Sequence, residues 1–245
     1  MELAYQDEQD IIDVARKVAD ADVCFYPAES DLAHRCLASL RGTELTQRER
    51  PDFEDVTRSL LLEAMRVDDH PRPGKKDATR ARESQILREL EDAGFGAMFP
   101  NATLVTNVSS GLPTEQDHSY RAYVDHFTSV VRKHGRKVPA YRAEQPGFDL
   151  GFLVFDESTA YFESMGSFAP PTTRRDHRWF DDAAFLDVIT AADVDCIVWL
   201  TPYKLVTADG AGRIHLPTMT IIDVDVLREA DALTYDAARM KSTER

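Results

Sequence analysis

The chain has 245 residues, with 43 Asp and Glu against 29 Lys and Arg for a formal net charge of −14, and 43% hydrophobic residues. That length excludes a disulfide-stapled mini-protein and favours one domain, or one domain with a helical extension, and the apolar content suffices for a packed core. The acidic excess argues against a generally polybasic binder of nucleic acid or membranes.

Along the chain, Ile11, Ile12, Ala15, Val18 and Ala19 recur at helical spacing. Leu32, Cys36, Leu37 and Leu40 do so again behind Ser30, a residue type suited to an N-cap. Pro51 opens a third predicted helix, with Val56, Leu60, Leu61, Ala64 and Met65 on one stripe. Residues 70–77, rich in Pro and Gly, read as a loop. A fourth helix carries Ile86, Leu87, Leu90 and Ala93 and stops at Gly94, a natural C′ residue.

Residues 103–108 read as a strand and 109–117 as a loop. Tyr120, Tyr123, Val124, Phe127, Val130 and Val131 mark a periodic helix ending at Gly135. Residues 138–143, 148–155 and 159–165 read as strands, and Asp156-Glu157-Ser158 predicts that the last two form a hairpin. A Pro-containing loop at 166–178 precedes a helix at 179–192, whose N-terminal dipole Asp181 and Asp182 suit. Residues 197–200 and 219–222 are continuous apolar runs, as in strands covered on both faces, and a last amphipathic helix starts near Val226. This order predicts an α/β domain over 78–245: a mixed sheet with a central antiparallel hairpin flanked by helices. A helical N-terminal region over 1–70 precedes it as a subdomain or wrapping layer.

The 29 basic residues comprise seven lysines and 22 arginines, and Asp outnumbers Glu. Such a composition suits a high-GC genome or a salt-loving source, where carboxylates keep the surface hydrated. Cys24, Cys36 and Cys196 are an odd count without a CxxC, so no zinc ribbon or redox motif is signalled, and a reducing cytoplasm is expected. The first residues carry no secretory signal, and no apolar run approaches the length of a membrane helix.

The predicted hairpin carries chemistry. Asp149 precedes one apolar strand and Glu163 interrupts the next, and carboxylates in buried strands need a partner, a proton or a metal. Two of them at adjacent strand positions suit Mg²⁺, which takes oxygen ligands and activates water for phosphodiester cleavage. The arrangement of Glu83 on a helix, Asp149 and Glu163 on a strand pair, then a further helix and strand, resembles the PD-(D/E)XK, restriction-endonuclease-like nuclease core over about half the chain. The resemblance implies that Glu83, Asp149 and Glu163 hold the metal. It also implies a catalytic Lys two residues after Glu163; Met165 stands there, and Lys204, after the next strand, is the substitute. Both carboxylates share a face only if the connection is a three-residue loop or bulged, since a two-residue turn pairs Glu163 with Phe152.

His118, His126 and His134 recur every eight residues. Successive rings then drift by about 80° around a helix, so they cannot share one metal and read as surface residues. His70, His177 and His215 fall in loops. GxSxG, GxGxxG and GxxxxGK[ST] are absent.

The basic residues are concentrated. Arg72, Lys75, Lys76, Arg80 and Arg82 form one segment, Arg132, Lys133, Arg136, Lys137 and Arg142 a second, and Arg174, Arg175 and Arg178 a third. Converging, they form a positive groove for phosphates; otherwise they are solvated faces or pair with the chain's own acids. The expected function is therefore a nucleic-acid-engaging protein with a nuclease-like core and Mg²⁺-dependent cleavage. The alternative is a non-catalytic interaction or assembly protein, a viral, defence or immunity component, meeting a protein partner or its own copies.

Overall fold

A computed structural model of the chain describes residues 8–72, 76, 78–98, 117–164, 174–204, 206–208, 212–214 and 216–243. The elements, in order, are α1 (Glu8–Lys17), β1 (Val23–Tyr26), α2 (Asp31–Arg41), β2 (Thr46–Gln47), β3 (Phe53–Asp55), β4 (Leu60–Val67), α3 (Ala78–Asp92), α4 (Phe95–Met98), α5 (Tyr120–Gly135) and α6 (Val138–Glu144). Then come β5 (Asp149–Asp156), β6 (Tyr161–Ser164), β7 (Arg174–Asp176), α7 (Ala183–Thr190), β8 (Cys196–Leu200), β9 (Val206–Ala208), β10 (Gly212–Ile214), β11 (Met219–Asp223), α8 (Val224–Leu227) and β12 (Met240–Ser242).

The architecture is the expected mixed α/β. A seven-stranded sheet has the order β1-β11-β8-β5-β4-β3-β2, and β12-β6-β7 form a second, antiparallel sheet. The three central strands β4, β5 and β8 are parallel to one another, while β11 and β3 run against them. Alternation along each strand sorts the core onto two faces. Leu61, Met65, Leu150, Phe152, Val154, Ile197 and Trp199 pack under α5, α6 and α7. Leu60, Leu62, Leu153, Phe155, Cys196 and Val198 pack under α1 and α2. The helical N-terminal segment thus wraps one face, and the same region also supplies β1 to β4. Ser30 caps α2 as its type predicts, accepting from Ala33 N at 3.1 Å. Among the described residues, no helix is long and apolar enough to cross a membrane.

Four expectations are corrected. Residues 60–67 form β4 and not a helix: all but one are buried, with β5 and β3 along its two edges and core from a helical layer on each face, so the run lacks polar–apolar alternation. Residues 138–144 form α6 and not a strand, with Pro139 in the first turn, where its missing N–H costs nothing, and Val138 and Tyr141 facing the core. The predicted pairing of residues 148–155 with 159–165 does not form, because both edges of β5 are taken by β4 and β8; β6 pairs with β7 and β12 instead. The antiparallel pairs inside the main sheet are β8 with β11, β3 with β4 and β2 with β3. The last helix is the single turn α8, after which the chain crosses to pair β12 with β6. The strand predicted at 103–108 lies outside the described residues.

Candidate functional site

Because β4, β5 and β8 are parallel and adjacent, their carboxyl ends meet at one edge, the place where open α/β sheets bind ligands. There β4 runs into Asp68, Asp69 and His70. β5 ends on Asp156 and runs into Ser158 and Thr159, and β8 runs into Thr201 and Lys204.

Lys204 is 5% exposed. Its Nζ donates to Ser158 Oγ at 2.5 Å and to the Thr159 carbonyl at 3.0 Å, and stands 3.4 Å from Asp156 Oδ2. It also lies over the rings of Tyr123 and Trp179, 4.6 and 5.1 Å from their centroids. Burial pushes the amine below its ordinary pKa, and Asp156 and Asp69 oppose that shift. Asp156 is fully buried and is further bonded by the Tyr123 hydroxyl, by Trp199 Nε1 at 3.0 Å and by the Ser158 amide at 2.9 Å.

Asp69 is the second buried acid of this edge. Its Oδ2 accepts from the Tyr161 hydroxyl at 2.5 Å and from the Thr159 amide at 3.3 Å, and its Oδ1 lies 3.0 Å from His118 Nδ1. The Ser119 amide donates to the Asp69 carbonyl at 3.0 Å, which ties the His118 segment to the end of β4. Asp68 accepts from Arg72 at 2.6 Å and from the His70 amide at 3.2 Å, and stands 3.2 Å from His126 Nδ1. Burial raises its pKa, but the bonds from His126 and Arg72 outweigh that and hold the carboxyl far below the usual range. Beside this cluster, Asp182 caps α7, accepts from the Tyr120 hydroxyl at 2.5 Å and lies 2.8 Å from Nε2 of the buried His177. Burial pushes that imidazole below its ordinary pKa.

The three histidines spaced by eight are not surface residues. His118 faces Asp69, His126 faces Asp68, and His134 faces Glu63, each half-buried or less exposed. They do not share one ligand, as the 80° drift requires; each turns to a different acid along β4 and its exit.

The sequence-predicted residues are dispersed. Asp149, at the amino end of β5, pairs with Arg35 at 2.7 Å, while Glu163, in the second sheet, pairs with Arg175 at 2.6 Å and accepts from the Asp236 amide at 3.0 Å. The structure places the two carboxylates in different sheets with different partners, so they do not form one metal site. The side chain of Glu83, on α3, and residue Lys75 lie outside the described residues. Lys204 alone of that set sits at the strand-end cluster. Of the cations, Arg72 pairs with Asp68, Lys137 with Glu63 at 2.6 Å, Arg174 with Asp176 at 3.1 Å and Arg175 with Glu163. Arg132, Lys133 and Arg136 are exposed at the far end of α5, about 20 Å along the helix from His118, and Lys76 is exposed beyond β4.

The sequence reading missed Asp69, His70, His118, Asp156 and Ser158. The signal was present: polar residues at the exit of an apolar strand are the positions where α/β sites are built. The helical stripe that Leu60, Leu61, Ala64 and Met65 imitate hides that exit. No family model, curated protein or solved structure matches this chain.

Proposed function

We propose that this protein engages nucleic acid and hydrolyses its phosphodiester bonds at the carboxyl edge of β4, β5 and β8, not at Asp149 and Glu163. The observation carrying this reading is the concentration there of buried Asp69, Asp156 and Lys204, beside His118. Charges buried together weaken a fold unless paired, and such groupings cluster at reacting sites. Arg66 and Arg72 rim the same edge, each about one-third exposed and held by Glu157 and Asp68, which suits an anionic substrate. Lys204 supplies the charge that stabilises a developing phosphorane oxygen, and the acids with His118 supply the means to activate water.

The test is cleavage of labelled single- and double-stranded DNA and RNA in Mg²⁺, Mn²⁺ or Zn²⁺, with Lys204→Met beside the wild type. Expected is metal-dependent cleavage, lost in a Lys204→Met protein that still unfolds cooperatively. Absence of cleavage with every substrate and metal overturns the reading, as does undiminished cleavage by the variant.

A second reading, a non-catalytic interaction or assembly protein, is favoured by the internal pairing of Arg72, Lys137, Arg174 and Arg175, which engages these cations within the chain. It predicts self-association or a co-purifying protein together with no cleavage.

A further inference from the structure

The geometry points to a divalent transition-metal site formed by Asp69, His70 and His118. One ligand atom from each lies within 4.8 Å of the others. Three features preorganise this group. First, Asp69 is fully buried, the Tyr161 hydroxyl and Thr159 amide hold its Oδ2, and its Oδ1 and Oδ2 lie 3.0 and 3.2 Å from His118 Nδ1. Second, both histidine segments are tied to the same strand exit. Ser119 N donates to the Asp69 carbonyl, and His70 N donates to Asp68, itself held by Arg72. Third, Asp117 places a carboxylate oxygen 3.9 Å from Nε2 of His118, on the far side of the ring from Nδ1 beside Asp69. At that distance the acid makes no hydrogen bond to the ring, but its negative charge adds to the field that favours a cation beside His118.

The ligand chemistry selects the metal. Two imidazoles with one carboxylate suit Zn²⁺, Mn²⁺, Co²⁺ or Fe²⁺, whereas Mg²⁺ and Ca²⁺ favour all-oxygen shells. Three protein ligands also leave a coordination position for water, as in catalytic and not structural zinc sites. Zn–N and Zn–O bonds of about 2.1 Å set tetrahedral ligand atoms about 3.4 Å apart. Closing from the present spacing takes rotation of the His70 and His118 rings, both on partly exposed segments, without moving the buried carboxylate. Binding here does not depend on the proposed cleavage, so the two ideas fail separately.

The test uses the full chain freed of metal by a chelator and titrated calorimetrically with Zn²⁺, Mn²⁺ and Mg²⁺ at neutral pH. Expected is one Zn²⁺ per chain, with Mg²⁺ at least about 100-fold weaker. His118→Ala and His70→Ala each weaken Zn²⁺ at least about tenfold while still unfolding cooperatively, and His34→Ala, at an exposed pair with Glu29, leaves binding unchanged. Zn²⁺ binding that survives His118→Ala and His70→Ala together overturns the site, and so does wild-type protein that takes up no Zn²⁺ or prefers Mg²⁺.

Discussion

Nδ1 of His134 stands 2.7 Å from Oε1 of Glu63, in the middle of β4, where Lys137 and the Tyr141 hydroxyl also reach the same carboxylate at 2.6 and 2.7 Å. Burial works against charge at Glu63, but these three bonds outweigh it and hold the carboxyl at about 2. The folded pKa lies below the unfolded one, so the stabilisation is complete above the ordinary value of 4.5 and fades as pH falls toward 2. A shift of this size is worth about 3 kcal/mol. Glu63→Gln should therefore lower stability by about 2–3 kcal/mol at pH 7 and by progressively less below pH 4.5. Urea unfolding of both proteins from pH 3 to 7 checks it, and parallel curves would refute it.

Asp52 has the opposite sign. Burial and the nearby charge of Glu63 raise its carboxyl to about 6, although its Oδ2 accepts from the Ala64 amide at 2.7 Å. A folded pKa above the unfolded one means stability falls as pH rises from about 4 through 6. Asn at this position keeps an acceptor for the Ala64 amide and carries no charge. Asp52→Asn should thus gain about 1–2 kcal/mol at pH 7, with the gain vanishing near pH 4. Melting temperatures across that range decide it.

Elements with one exposed face were legible in the sequence. α2 and α5 carry an apolar stripe beside polar residues, and Ser30 and Gly94 behave as their types require, Gly94 with φ of 75°. β4 was not legible: buried on both sides, its run Leu60-Leu61-Leu62-Glu63-Ala64-Met65 shows no alternation, and Leu60, Leu61, Ala64 and Met65 imitate a helical stripe. Strand partners were hidden for a different reason. Nothing local in β5 and β6 reports that β4 and β8 have already occupied both edges of β5. The strand-end cluster depends on both facts. Asp69 and His118 are 49 residues apart in the chain, and only the β4 to α5 crossover joins them.

Lys204 and Asp156 form the ion pair at the centre of that cluster, 3.4 Å apart and both buried. Removing the ammonium alone leaves a buried carboxylate with neutral donors from Tyr123, Trp199 and Ser158, so Lys204→Met should cost about 2–4 kcal/mol at pH 7. Adding Asp156→Asn removes the stranded charge, and the double variant should be more stable than Lys204→Met alone. A double-mutant cycle from denaturant titrations measures this coupling, and additive losses would refute it.

Gly151 is required by its neighbour Cys196, not by its backbone angles. It lies in β5 opposite Cys196 in β8, where a Cβ would clash with the Cys196 sulfur and meet Leu62 Cδ2 at 2.9 Å and the Cys196 carbonyl at 3.1 Å. The sulfur cannot swing away freely, because its other side faces the Cys36 sulfur at 3.2 Å, and both cysteines are fully buried. Gly151→Ala therefore overpacks the sheet face under α2 and should cost about 2–3 kcal/mol. Cys196→Ala alone opens a small cavity at a cost of about 1 kcal/mol. Combined, the two changes exchange one volume for the other, although the backbone contact at the Cys196 carbonyl persists. The double variant should then be at least about 1 kcal/mol more stable than the sum of the single losses implies. Thermal unfolding of the three variants measures it, and strict additivity would show that the sulfur is not what excludes a side chain at position 151.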